Sequence, residues 1–182
     1  MAAIQCKYLK YWSKAVSEKE DPSSGLFTVV CDSCQNIFAA EDRKCSCGLA
    51  KGELKLDIDK MLTRIYDLHT ADKDDVALDV VFDVFWQLHT KWDIMNEILS
   101  KVDLAKIDEG LMVGFMVQTF KYIKQVPAHL SFCDKAESRM RELGIEDKKI
   151  HDLVDNYRET GDYWESMKAY GAPEWLSGPK PE

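Results

Sequence analysis

Val29-Val-Cys-Asp-Ser-Cys-Gln-Asn-Ile-Phe-Ala-Ala-Glu-Asp-Arg-Lys-Cys-Ser-Cys-Gly48 holds four of the six cysteines of the chain. They fall into two close pairs, Cys31-x2-Cys34 and Cys45-x-Cys47, with ten residues between the pairs. A Cys-x2-Cys turn aims two thiolates at one point about 2.3 Å from a metal ion, and a second close pair completes a tetrahedral S4 shell. An apolar strand, Phe27-Thr-Val-Val30, leads into the first pair, and turn residues (Gln35-Asn36, then Gly48) follow each pair. Together these features outline two knuckles on short β-hairpins. They predict a structural zinc site, one Zn2+ per chain, with Cys31, Cys34, Cys45 and Cys47 as ligands.

Other uses of the same cysteines fit less well. Disulfides need an oxidising compartment, and Cys-x-Cys is a strained spacing for one. A thioredoxin-like Cys-x-x-Cys opens a helix, whereas Gln35-Asn36 and the apolar Ile37-Phe38 follow here. An iron–sulfur cluster accepts the same four thiolates, and sequence alone separates it poorly from zinc. A closed S4 zinc site has no open position for a substrate, so the pattern argues for folding and not for catalysis.

Cys-x2-Cys…Cys-x-Cys-Gly resembles the zinc-ribbon class, in particular small ribbons with a C-x-C-G second knuckle found in bacteriophage proteins. The resemblance covers Phe27 to Asp57 and matches Gly48 to the turn glycine. It implies a fold and a metal, and it admits a virus- or phage-encoded role. It implies no activity, because ribbons serve transcription, replication, translation and scaffolding alike. The rest of the chain resembles no family.

With 182 residues, 46% of them apolar and 31% charged, the chain has the make-up of a globular protein with room for a core beyond a small module. Lysines at positions 7 and 10 occupy the place of an apolar signal sequence, and the longest uncharged run, Gly110 to Phe120, falls short of the ~20 residues of a membrane span. A reducing cytoplasm is expected, that of the host if the protein is viral. Cys6 and Cys133 then read as free thiols. Residues 1–58 carry eight basic and eight acidic side chains, so residues 59–182 carry the whole net charge of −8. That sign repels phosphate, and nucleic acid is an unlikely partner for the helical part.

In chain order, residues 1–24 read as an amphipathic helix and a loop, with Lys7, Lys10 and Lys14 interleaved with aromatics. Residues 25–57 read as the ribbon, whose last strand runs through Glu53–Leu56. Residues 58–170 read as an all-α bundle of about five or six helices, making the fold class mainly α. Ile58 to Leu68 carries one apolar stripe, and Thr70–Asp75 is a polar joint with Asp74 or Asp75 as a cap. Val76 to Val102 repeats apolar residues in steps of three and four, predicting one long helix as the spine of the fold. Gly110–Ile123 is apolar on nearly every side, Pro127 opens a further helix that Gly144 ends, and Glu146–Glu159 and Asp162–Tyr170 close the bundle. Residues 171–182 read as an extended tail.

Outside the cysteines, His89 and Asp93 lie four apart and, with His69 nearby in sequence, form the one acid–base pair to test; a helix-surface pair is the simpler reading. Asp79 and Asp83 read as solvated. No phosphate loop, nucleophile elbow or H-E-x-x-H helix is present, and no catalytic residue is assigned. Trp175 and Leu176, in the Pro- and Gly-rich tail, are candidate partner-binding residues, with folding back onto the helices as the plainer alternative. The expected function is a non-enzymatic, zinc-containing protein–protein interaction module: an adaptor, an inhibitor or a structural component. The alternatives are a nucleic-acid-associated ribbon using Lys7, Lys10, Lys14, Arg43, Lys44, Lys51 and Lys55, or an acidic protein that imitates nucleic acid and occupies a basic groove on its target.

Overall fold

The computed structural model describes residues 23–42, 45–47, 52–122 and 127–171. The helix expected before residue 18 and the tail with Trp175 and Leu176 lie outside the described residues. The chain divides into two compact units between Asp57 and Ile58.

The first unit is a three-stranded antiparallel sheet of β1 (Phe27–Cys31), β2 (Ile37–Ala39) and β3 (Gly52–Leu56), in the order β2-β1-β3. Val30 faces Ile37 across β1 and β2, while Phe27 faces Leu56 and Cys31 faces Gly52 across β1 and β3. The β-branched and aromatic run Phe27-Thr-Val-Val30 suits the central strand. Its buried hydrophobic residues are few: Leu26, Phe27, Cys31 and Cys45 among those described.

The second unit is helical. It comprises α1 (Ile58–Thr70), α2 (Asp74–Gln87), α3 (Trp92–Lys101), α4 (Glu109–Tyr122) and α5 (Pro127–Glu142). A helix α6 follows, built from Asp147–Ile150, a π-helical stretch His151–Asp155 and Asn156–Thr160, and then α7 (Tyr163–Tyr170). Its ends follow local chemistry: Asp108 Oδ1 accepts the Leu111 N–H at 2.9 Å at the start of α4. Gly144 and Gly161 take left-handed φ values of 77° and 67° after α5 and α6, a conformation that costs glycine little.

The spine expected over Val76–Val102 is two helices. His89 takes the Trp86 carbonyl with its Nδ1 at 2.8 Å, and the Leu88 carbonyl is taken by the Lys91 N–H in a tight turn at 2.7 Å. The apolar spacing of Leu88, Trp92 and Met95 imitates a continuous helix, but Trp92 is exposed. The central element is α4 instead: every residue from Leu111 to Phe120 is buried. Phe115 packs edge-on against Phe85 of α2 and Phe132 of α5, with ring centroids 6.1 and 6.5 Å apart, and Phe120 stacks on Tyr157 at 3.9 Å. Gly114 lets α2 come close, since a Cβ there would lie 2.4 Å from Leu78 Cδ2. Asp83, expected in solvent, is buried and accepts a hydrogen bond from Gln87 Nε2 at 2.7 Å; Asp79 is exposed as expected.

Candidate metal centre

The turn after β1 builds the first half of the site. Gln35 N–H donates to the Cys31 carbonyl and Cys31 N–H to the Asn36 carbonyl, both at 3.0 Å. Gln35 sits at φ 60°, and its Nε2 donates to the Cys31 and Asp32 carbonyls. This turn swings Cys34 back beside Cys31. Cys45 and Cys47 come from the segment between β2 and β3.

All four Sγ atoms lie within 4.8 Å of one another, with Cys31 3.5 Å from Cys47 and Cys34 3.3 Å from Cys45. Sulfurs bound tetrahedrally at about 2.3 Å stand about 3.8 Å apart, so the four thiols are spaced to hold one ion. Cys31 and Cys45 are buried, while Cys34 and Cys47 are exposed, placing the cluster at the rim of the small sheet.

Backbone N–H groups act on these thiols unequally. The N–H groups of Cys34 and Ser33 hold the Cys31 thiol below its ordinary value, against the opposing effect of burial. The Cys47 N–H brings Cys45 down to about 6. At Cys34 the Asn36 N–H also favours the thiolate, but the neighbouring thiols and burial outweigh it and push Cys34 up to about 12. A cluster that ionises unevenly is what four thiols converging without a cation produce, since each added negative charge opposes the next.

Gly52 faces Cys31 across the sheet. A Cβ there would lie 2.3 Å from the Val30 carbonyl oxygen and 2.5 Å from Val29 Cγ1. The nearest obstacle is backbone, which cannot rotate away. Gly52→Ala is therefore expected to push β3 off β1 beside Cys31, at a cost of about 3 kcal/mol, the upper end of overpacking costs. In a competition with a chelator the variant should hold metal about a hundredfold more weakly. Metal retention equal to that of the unaltered protein would mean that β3 does not support the site.

The other sequence candidates do not assemble. His89 lies in the turn between α2 and α3 with its ring stacked on Trp86 at 5.8 Å, and Asp93 lies in the first turn of α3, so the two do not share one helix face. Cys133 is buried, and burial pushes its thiol up to about 12, the opposite of an activated nucleophile. Of the basic residues weighed for nucleic acid, Lys55 alone lies within the described residues, and it pairs with Glu53 at 3.8 Å on the exposed side of β3. His69 has a different partner from the one its sequence neighbours suggested: its Nδ1 lies 2.7 Å from Asp74 Oδ1, with Asp108 beside them. In sequence Asp74 reads only as a candidate helix cap, and no local signal joins it to Asp108, 34 positions on.

No protein-family model matches the chain, and neither a curated protein nor a solved structure matches it. The structural class rests on the geometry alone: a small three-stranded sheet carrying a four-cysteine cluster, followed by a mainly helical unit.

Proposed function

We propose that this chain is a zinc-stabilised, non-enzymatic protein–protein interaction module, a zinc ribbon attached to a helical scaffold. The observation that carries this reading is the spacing of the four Sγ atoms, all within 4.8 Å. It suits a single ion. A multinuclear iron–sulfur cluster bonds its thiolates to different irons and spreads them more widely. Four thiolates fill the tetrahedral shell of zinc and leave no position for a reacting group, so the ion serves the fold.

Exposed large apolar side chains supply material for a protein interface: Ile37 on β2, and Trp86 and Trp92 beside the turn between α2 and α3. Tryptophan is among the residues that contribute most when buried in a partner. The acidic balance of residues 59–182 favours a neutral or basic protein over a phosphate backbone.

The test uses the full chain as bait in a native extract, with metal assayed on the same sample. One zinc per chain is expected, together with a protein partner that survives nuclease treatment. Capture should be lost in either Trp86→Ala/Trp92→Ala or Trp175→Ala/Leu176→Ala, which maps the docking surface. Nucleic acid retained by the bait and released by nuclease would replace this reading with the nucleic-acid-associated one. A basic nucleic-acid-binding protein released by moderate salt would favour the acidic imitator.

A further inference from the structure

Three helix ends meet in the second unit: the last turn of α1, the first turn of α2 and the residue before α4. They bring His69, Asp74 and Asp108 together, with one ligand atom from each residue within 4.8 Å of the others. The His69 Nδ1 to Asp74 Oδ1 separation of 2.7 Å is a hydrogen bond, and ligands on one metal at about 2.1 Å stand about 3.0–3.4 Å apart, so the pair would open by a few tenths of an ångström to share an ion.

Capping does not account for the arrangement. The start of α2 has no side-chain capping hydrogen bond, and Asp74 turns its carboxylate to His69. Asp108 does cap α4, but through Oδ1 alone. Two carboxylates thus approach each other, and among the described residues neither is ion-paired with a lysine or arginine. The group facing them is the His69 imidazole, and an imidazole nitrogen is a common metal ligand. His69 is only partly exposed, so one side of such a site is protein and the other is open to water.

We propose that His69 Nδ1 and the carboxylates of Asp74 and Asp108 form a second site for a divalent cation of borderline softness, such as Zn2+. One nitrogen and two carboxylate donors suit zinc or manganese more than calcium, which takes oxygen ligands alone. Three protein ligands leave positions for water, unlike the closed cysteine site. The ion would tie the ends of α1, α2 and α4 together. This proposal does not depend on the function proposed above.

The test is a titration of the full chain with Co2+, followed by native mass spectrometry with Zn2+. A tetrathiolate cobalt site gives intense sulfur-to-metal charge-transfer absorption, whereas a nitrogen and oxygen site gives only weak ligand-field bands. The expected result is two ions per chain, of which one adds no charge-transfer intensity. Asp108→Asn keeps an acceptor at the cap and removes the charge; it and His69→Ala should each weaken the second ion at least tenfold while the charge-transfer band stays. His151→Ala should leave both ions in place; its exposed imidazole, paired with Asp155, serves as the control for adventitious zinc. One ion per chain, held only by the cysteines, overturns the proposal. So does a second ion that is lost with His151 or is indifferent to Asp108→Asn. One ion without charge transfer, lost with His69, would support this site and remove the cysteine one.

Discussion

Cys45→Ser is expected to abolish tight metal binding and to unfold the three-stranded sheet while the helical unit keeps its far-UV signal. The reason lies in how little else holds the sheet. Among the described residues Leu26 and Phe27 are its buried large side chains, and the other two buried hydrophobic positions are the candidate ligands Cys31 and Cys45 themselves. A module of that size cannot offset its chain entropy by apolar burial. Structural zinc contributes about 10–16 kcal/mol of apparent binding energy in small modules, and where no preformed site exists that energy is folding energy. Serine replaces a buried, ionised thiolate with a hydroxyl that does not ionise near neutrality, so the shell loses both a bond and a charge.

Acid should act in the same direction. Each thiol must lose its proton to bind, so protons compete with metal and affinity falls as pH falls. With Cys34 held up to about 12, metal uptake near neutrality displaces its proton. Cys45, brought down to about 6, has already ionised there and adds to the pH dependence only below that value. The affinity loss per pH unit should therefore steepen below about pH 6. Hydrogen exchange on β1 and β3 amides, with and without a chelator, reads the unfolding directly. Full protection of those amides in the metal-free Cys45→Ser chain would show that the sheet stands without its ion.

How much of this was legible in the sequence depends on the range of the interaction. Cys31 and Cys34 close a turn four residues long, and the apolar run Phe27–Val30 forms a strand beside it, so local spacing carries that part of the site. The start of α5 at Pro127 and its end at Gly144 are equally local, because one residue lacks an N–H and the other tolerates a left-handed φ. The break between α2 and α3 was not legible: Leu88, Trp92 and Met95 keep helical spacing across a turn that His89 stabilises by binding the Trp86 carbonyl. The reading of Asp83 as solvated rests on apolar partners three and four residues on, whereas Asp83 is buried and Gln87, four residues on, donates to its carboxylate. The meeting of His69, Asp74 and Asp108 is tertiary too, since it depends on where three helices end together.

Phe115→Ala should be the most damaging single truncation in the helical unit, costing about 3–5 kcal/mol. Phe115 is fully buried on α4, the helix enclosed on all sides over its middle ten residues, and it touches aromatic rings from two other helices. Truncation removes the transfer energy of the ring and both edge-to-face contacts, and it leaves a void that Phe85 and Phe132 cannot fill without leaving their own rotamers. Against a total stability of about 5–15 kcal/mol for a domain, that loss is a large fraction. Phe115→Leu keeps much of the volume and should cost distinctly less, which separates cavity formation from a general intolerance of change at this position. Urea unfolding followed by far-UV circular dichroism gives both values. The two substitutions should shift the midpoint in that order without altering the slope, because the surface exposed on unfolding is nearly unchanged. A cost below about 1 kcal/mol for Phe115→Ala would mean that α4 is not the packed centre of the helices, and the assignment of Phe85, Phe115 and Phe132 to one core would fall with it.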